Sequence, residues 1–365
     1  MRQESSIYVA GHNGLVGSAI TRKLREKGYH NLILPSREKL NLLDQASVNS
    51  FFEKEKPQYV FLAAAKVGGI MANNRYRAQF IYENLQIQNN IINSSWKHNV
   101  EKLLFLGSSC IYPRDASQPM KEEYLLNSPL EYTNEPYAIA KIAGIKMCES
   151  YNLQYNTNFI SVMPTNLYGE NDNYDLNNSH VLPALIRKMH LGKLLKLKKF
   201  DKVREDLKRR PFDGLHYSMS DSDIIESVKE FGIFCDGTLS EIQLWGTGEP
   251  RREFLYSDDL ADALYFVMQN IDFEDIVKSR DDDQIRNTHL NIGCGEDLSI
   301  YELALLIKKV VGYDGAIKWD SSKPDGTYRK LMDVSRLNSL GWKASTSLEE
   351  GVRRVYNSYI AFKNI

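Results

Sequence analysis

A doubly wound α/β fold with a smaller C-terminal domain is the architecture this 365-residue sequence predicts. Three observations point to it. Short, continuously apolar segments recur through the first half of the chain. Helical patterns fill the gaps between them. The first apolar segment runs directly into a turn with glycines three residues apart. Strands that are apolar on both faces belong in a parallel sheet covered by helices on both sides.

Ile7-Tyr8-Val9-Ala10 is the first strand, and the helix after its turn carries Ile20 and Leu24 on one face. Leu32-Ile33-Leu34 is the second strand, and Tyr59-Val60-Phe61-Leu62-Ala63 the third. Leu103-Leu104-Phe105-Leu106 is the fourth, ending at Gly107-Ser108-Ser109, and Phe159-Ile160-Ser161-Val162-Met163 the fifth. Helices are expected over 45–54, 75–98 and 137–155. Beyond Pro164 the pattern loosens. His180 to Leu191 reads as a helix capped by Asn178 or Ser179. Residues 193–241 are charge-rich, with a short helix expected over 223–231, and Ile242-Gln243-Leu244-Trp245 resumes a strand. The expected division is a first domain of residues 1–166, joined by a returning strand near 242–260, and a second of residues 167–365.

Lys plus Arg is 46 and Asp plus Glu 47, a net charge of -1, so the basic excess of a nucleic-acid binder is missing. The apolar run that ends at Gly11 is too short for a signal peptide's core or a membrane span, so no membrane partner is expected. Cys110, Cys148, Cys235 and Cys294 are scattered, with no CxxC pair and no metal-ligand spacing. No metal is expected, and a reduced, cytoplasmic compartment fits.

Gly11, Gly14 and Gly17 stand between a strand and a helix in the first strand–helix unit. That context suits a dinucleotide cradle of the Rossmann kind: a tight turn, a close approach of backbone to pyrophosphate, and close helix packing. The free N–H groups of the helix start then meet the phosphates. An NAD enzyme carries an acid after its second strand. Ser36 and Arg37 stand there instead and suit a 2′-phosphate, so NADP(H) is the expected cofactor. Tyr137 and Lys141 lie four apart on one helix face. A neighbouring ammonium favours the phenolate, which lets a phenol exchange its proton near neutral pH. Ser108 and Ser109 follow the fourth strand, at the sheet edge where ligands bind, and a hydroxyl there can hydrogen-bond a carbonyl oxygen.

Together these features resemble the extended short-chain dehydrogenase/reductase superfamily. Longer stretches are similar to the GDP-L-fucose synthase family: Leu62 to Ile70, Leu106 to Pro113, Asn134 to Gly144, and Met163 to Gly169. So are Asn178-Ser179-His180-Val181, Arg252-Glu253-Phe254-Leu255 and Lys323 to Thr327. The resemblance covers nearly the whole chain outside 193–241. It implies NADPH-dependent reduction at C4 of a GDP-linked 4-keto-6-deoxy sugar, with epimerisation at C3 and C5. It implies that Tyr137 protonates the C4 oxygen, that Lys141 tunes Tyr137 and holds the nicotinamide ribose, and that Ser108 polarises the C4 carbonyl. Cys110 and His180 match the family's epimerisation base and acid. A cofactor site follows from Gly11, His12, Asn13, Gly14, Leu15, Val16, Gly17, Arg37, Leu106, Gly107, Ser109, Pro164, Thr165, Asn166 and Leu167. Lys188, Trp245, Arg252 and Asp325 match positions on the GDP side.

Two departures stand out. Asn13 occupies a place where the family commonly has arginine, and about forty extra residues lie between His190 and Trp245. That insertion is either a tolerated surface loop or a remodelled sugar pocket or oligomer contact; a remodelled pocket suits a heptose, with epimerisation left to another protein. A homodimer is expected, pairing the helices near 75–98 and 137–155 through Ile81, Leu85, Ile91, Ile92, Ile142, Ile145 and Tyr151. A non-catalytic NADP-binding sensor would not need both Tyr137 and Lys141. A 4-epimerase with tightly held NAD leaves the stretches around Cys110 and His180 unexplained.

Overall fold

The computed structural model describes residues 1–211, 214–236, 239–278 and 284–361. In chain order its elements begin with β1 (Ile7–Ala10), α1 (Leu15–Glu26), β2 (Leu32–Ile33), α2 (Gln45–Glu55), β3 (Tyr59–Leu62), α3 (Ile70–Arg75) and α4 (Arg77–Lys97). There follow β4 (Lys102–Leu106), α5 (Glu135–Tyr155), β5 (Phe159–Pro164), β6 (Asn166–Tyr168), α6 (Val181–Lys196), α7 (Phe200–Arg209) and α8 (Asp221–Ser227). Next are β7 (Ile233–Cys235), β8 (Ser240–Trp245), β9 (Arg251–Arg252), β10 (Phe254–Tyr256), α9 (Ser257–Asn270), α10 (Phe273–Lys278) and β11 (Leu290–Ile292). The last are β12 (Leu298–Ser299), α11 (Ile300–Val311), β13 (Ala316–Asp320), β14 (Arg329–Lys330), α12 (Ser335–Ser339) and α13 (Leu348–Ile360).

The chain forms two compact units. The first takes residues 1–171, 253–296 and 331–346; the second takes 172–252, 297–330 and 347–365. The division foreseen from the sequence differs in two ways. The returning part of the first unit starts at 253 and also brings α9, α10, β11 and α12. The strand at 242–245 belongs to the second unit, where it pairs with β7 and β13.

In the first unit six parallel strands lie in the order β2-β1-β3-β4-β5-β11. The chain leaves β1 toward one edge and resumes at β3 on the other side. The order therefore reverses between β1 and β3, the place where open α/β sheets bind ligands. Successive side chains of β1 feed opposite faces, as a strand's period of two requires. Ile7 and Val9 pack with Ile20, Leu24, Leu260 and Leu264 of α1 and α9. Tyr8 and Ala10 pack with Phe52, Ile91 and Ile145 of α2, α4 and α5. This corrects the proposed pairing face. Ile91, Ile92, Ile142 and Ile145 are buried against the sheet, and only Ile81, Leu85 and Tyr151 stay half-buried. α5 starts two residues before the expected Tyr137, with Pro136 in its first turn, where a missing N–H costs nothing.

The second unit holds β13 parallel to β8 with β7 antiparallel on the other side, and a small sheet in the order β12-β9-β14. Segment 193–241 is more ordered than the sequence suggests. It extends α6 to Lys196 and adds α7, α8 and β7. α8 begins at Asp221 because the Ser220 hydroxyl accepts the Asp223 N–H.

One buried cation closes a helix in the first unit. The Lys102 ammonium donates to the carbonyls of Val267 (3.0 Å), Met268 (3.0 Å) and Ile271 (2.6 Å), and meets Asp272 Oδ1 at 3.0 Å. The last carbonyls of α9 have no partner within the helix, and Lys102 supplies it. Lys102→Met is expected to lower stability by on the order of 2–3 kcal/mol, because those carbonyls lose a charged donor. Urea unfolding of both proteins checks this, and an unchanged midpoint contradicts it.

Candidate active site

The turn after β1 is built so that backbone, not side chains, faces the ligand. Gly11 has φ +85°, and a Cβ there would lie 2.9 Å from the Ala64 backbone. A Cβ on Gly17 would come within 2.1 Å of the Gly11 carbonyl oxygen. Only glycine permits this approach. Gly14 is the N-cap of α1 and offers no side chain to its N–H groups, so the helix start is left for an anion. These features fit a dinucleotide pyrophosphate in the cradle formed by Gly11, His12, Asn13, Gly14, Leu15, Val16 and Gly17. Arg37 lies exposed beyond β2, where it suits a further phosphate.

β4 delivers the next group. Leu106 ends the strand, and at Gly107 the end of the Met163 side chain fills the place of a Cβ, 2.2 Å from where one would stand. Ser108 then caps a tight turn over Ser109–Ile111, its hydroxyl accepting the Cys110 N–H at 3.4 Å. β5 ends at Pro164. Thr165 N–H continues to the Ile292 carbonyl at 3.0 Å, and the Asn166 amide donates to the Glu253 carbonyl at 2.9 Å. Leu167 sits in β6, paired with Leu255.

α5 brings Tyr137 and Lys141 to this sheet edge. The Lys141 ammonium is buried and donates to the Leu106 carbonyl at 2.8 Å, with its nitrogen 5.6 Å from the centre of the Tyr137 ring. Burial lowers its pKa to about 8, with Cys110 pulling the other way. Burial pushes the Tyr137 phenol well above its ordinary value, and the facing Cys110 adds to that. The sequence suggests that Lys141 brings the phenol down. Desolvation dominates instead, which suits a phenol that holds its proton until a developing oxyanion takes it. Ser108, Cys110, Tyr137 and Lys141 therefore share one site in the first unit.

A support the sequence did not reveal lies under this turn. Asn291 spends its amide N–H groups on the carbonyls of Met120 (2.9 Å) and Asp333 (3.1 Å). Its Oδ1 is left to accept the Tyr112 hydroxyl at 2.5 Å. The Tyr112 oxygen, 2.9 Å from His289 Nε2, must then accept from that nitrogen. Tyr112 follows Cys110 by two residues, so this buried chain holds the turn that carries Ser108 and Cys110. Tyr112 belongs to a quoted motif, but its partners lie far along the chain, and no spacing rule could have named them.

The second unit holds the remaining candidates. His180 is the N-cap residue of α6, and surrounding protein lowers its pKa by desolvation. Eight residues before it, Asp172 is raised to about 7 by burial. The buried Asp172 Oδ2 and Ser179 Oγ have no hydrogen-bond partner among the described residues. Lys188 on α6 is lowered to about 8 by burial. Desolvation also lowers Arg252, whose Nη1 donates to the Arg251 carbonyl at 2.7 Å. Two desolvated cations are what an anion such as a diphosphate would repay. Trp245 is 63% exposed, with the Lys323 ammonium 5.7 Å from its ring centre. Asp325 is already engaged: its oxygens accept the Thr247 N–H (2.9 Å) and hydroxyl (2.8 Å). It fastens the turn that follows Trp245. Among the described residues no cluster of His, Cys, Asp and Glu could hold a metal, and no helix is long and apolar enough to cross a membrane.

Residues 7–212 and 222–293 match the NAD dependent epimerase/dehydratase family. GDP-L-fucose synthase 1 of Arabidopsis thaliana is 48% identical over 363 residues, covering 100% of this chain and 95% of that protein. Among solved structures, a GDP-D-glycero-L-gluco-heptose synthase of Campylobacter jejuni, in the presence of NADPH, superposes with a TM-score of 0.91. It is 45% identical and covers 99% of this chain and 100% of its own. A GDP-mannoheptose C4 reductase of the same organism, with NADP bound, gives 0.85 at 44% identity, with coverage of 99% and 100%.

Proposed function

Because this chain belongs to the NAD dependent epimerase/dehydratase family, we propose that it is an NADPH-dependent enzyme of the GDP-L-fucose synthase kind. It reduces C4 of a GDP-linked 4-keto-6-deoxy sugar after epimerising C3 and C5. The observation that carries this reading is the meeting of the half-buried Tyr137 and the buried Lys141 with the Cys110 thiol at the C-terminal edge of the sheet.

The dihydronicotinamide, when bound, supplies the hydride to C4. Tyr137 gives its phenol proton to the C4 oxygen as that oxygen gains charge, and the Lys141 ammonium stabilises the phenolate left behind. Ser108 donates to the same oxygen beforehand and polarises the carbonyl. The 4-keto group acidifies the C–H bonds at C3 and C5. Cys110, as thiolate, takes a proton from an adjacent carbon, and His180 is the group we assign to returning one to the opposite face. Lys188 and Arg252 hold the diphosphate, with Trp245 offering a flat face beside them. The glycine cradle, Gly107, Ser109 and the segment Pro164 to Leu167 hold the cofactor, and Arg37 selects its 2′-phosphate. We assign the reaction to the cytoplasm, in keeping with a sequence whose four cysteines are widely scattered and show no CxxC pair.

Likeness to the two Campylobacter enzymes favours a second reading, a C4-reductase of a GDP-4-keto-6-deoxy-heptose with little or no epimerisation. One experiment separates the two. The protein is incubated in D₂O with NADPH and either GDP-4-keto-6-deoxy-mannose or its heptose analogue, and the products are identified by NMR. The leading reading expects reduced hexose with deuterium at C3 and C5, lost in Cys110→Ser, and little turnover with NADH. Reduction of the heptose alone, without deuterium, selects the second. Absence of reduction with either substrate contradicts both.

Lys188 must be protonated to hold an anion. With its pKa lowered to about 8, the charge is present below that pH and lost above it. GDP affinity is therefore expected to stay level to about pH 8 and then fall by up to about tenfold per unit. Lys188→Met should bind GDP weakly at every pH and show no such bend. Titration calorimetry across pH 7 to 9 decides, and parallel profiles would remove Lys188 from the site.

We also assign a homodimer, paired through the outward faces of α4 and α5 rather than through the buried isoleucines. Tyr82, Gln86, Asn89 and Asn93 on α4 and Ile139 and Met147 on α5 keep accessible surface there. Light scattering should give twice the 41.9 kDa chain mass; a monomer at micromolar concentration contradicts it.

A further inference from the structure

Segment 193–241 is bound to the rest of its unit by a buried charge. Arg187, on α6 beside Lys188, is fully buried. Its Nε donates to Asp206 Oδ1 at 3.0 Å, its Nη1 to the Tyr174 carbonyl at 3.0 Å, and its Nη2 to the Arg210 carbonyl at 2.5 Å. Asp206 on α7 accepts further bonds at Oδ2, from Arg210 Nη1 at 3.0 Å and from the Tyr359 hydroxyl of α13. The Arg210 guanidinium lies 3.7 Å over the Tyr359 ring and donates to the Tyr359 carbonyl at 3.0 Å. One ion pair thus joins α6, α7, α13 and the strand of chain from Asp172 to His180.

That geometry has a direction. Adjacent helical residues point about 100° apart, so locking Arg187 fixes the rotation of α6 and with it the bearing of Lys188. The bond to the Tyr174 carbonyl fixes the chain that leads, six residues later, to His180. Neutral packing would resist such a rotation weakly. A buried, hydrogen-bonded ion pair tolerates little misalignment, and the best-attested use of such pairs is to specify register.

We propose that Asp206 is a positioning residue, through which the 193–241 segment sets the placement of Lys188 and so the affinity for the GDP moiety of the substrate. The proposal rests on the assignment of Lys188 to the diphosphate. It makes the segment part of the specificity apparatus rather than a passive surface loop.

Three variants test it: Asp206→Asn, the double variant Arg187→Met/Asp206→Leu, and Lys188→Met. The double variant matters because Asp206→Asn strands a buried guanidinium and lowers thermal stability whatever the function. Replacing both partners by apolar groups restores packing without the pair. GDP binding is measured by calorimetry well below each Tm, with kcat and KM for the 4-keto substrate. We expect Asp206→Asn and the double variant to weaken GDP by about tenfold or more and to raise KM with little change in kcat. The double variant should regain part of the Tm lost in Asp206→Asn without regaining affinity, which a merely structural role would not produce. GDP affinity within about twofold of wild type in the folded double variant overturns the proposal. If Lys188→Met also binds GDP normally, the diphosphate assignment fails and the proposal falls with it. If Lys188→Met alone is weak, the assignment stands and the positioning role is overturned.

Discussion

The bond from the Lys141 ammonium to the Leu106 carbonyl is the point on which the site in the first unit turns. It ties the middle of α5 to the last residue of β4 inside an apolar interior, at 2.8 Å. A buried ammonium without a partner would be costly, so this contact sets both the depth and the rotation of α5 on the sheet. Tyr137 is one turn earlier on the same face and takes its bearing from it. Ser108 and Cys110 follow Leu106 within four residues and take theirs from the other end. A phenol, a thiol and a hydroxyl are thereby brought to one edge by a bond that none of them makes.

Burial does the electrostatic work in both units. In the first it lowers Lys141 and raises Tyr137. In the second it lowers Lys188 and Arg252, both half-buried. Each of these charges is held in surroundings poorer than water, so each gains from an oppositely charged or developing group brought to it. Surface cations of the same number would gain far less.

Five of the six strands of the main sheet were legible because they carry an unbroken apolar run; β11, interrupted by Asn291, was not. The cradle was legible because glycines 11, 14 and 17 stand between a strand and a helix; the structure adds that Gly11 and Gly17 leave no room for a Cβ. Tyr137 and Lys141 were found by helical periodicity, and Cys110 and His180 only by resemblance. What stayed hidden depends on distant partners. α7 reads as a run of lysine and arginine, since its one buried acid, Asp206, is apolar in no sense and pairs with Arg187 nineteen residues earlier. β6 and β10 are three residues each and stand only because they pair with one another across almost ninety residues. The isoleucines of α4 and α5 show a face, but periodicity cannot say whether a face meets a sheet or a second chain.

The sixth strand of the main sheet comes from a late part of the chain. β11, at 290–292, lies parallel to β5, all six of whose residues are buried. During synthesis β5 therefore leaves the ribosome more than a hundred residues before the strand that will cover its edge. Over that interval it is an apolar ribbon with unpaired N–H and carbonyl groups, the kind of edge that recruits other chains. The contiguous first 171 residues hold the whole glycine cradle and the Tyr137–Lys141 pair, yet they are not a self-sufficient module. Cut out alone, they would keep the ligand-binding chemistry and lose the strand that keeps the sheet to itself.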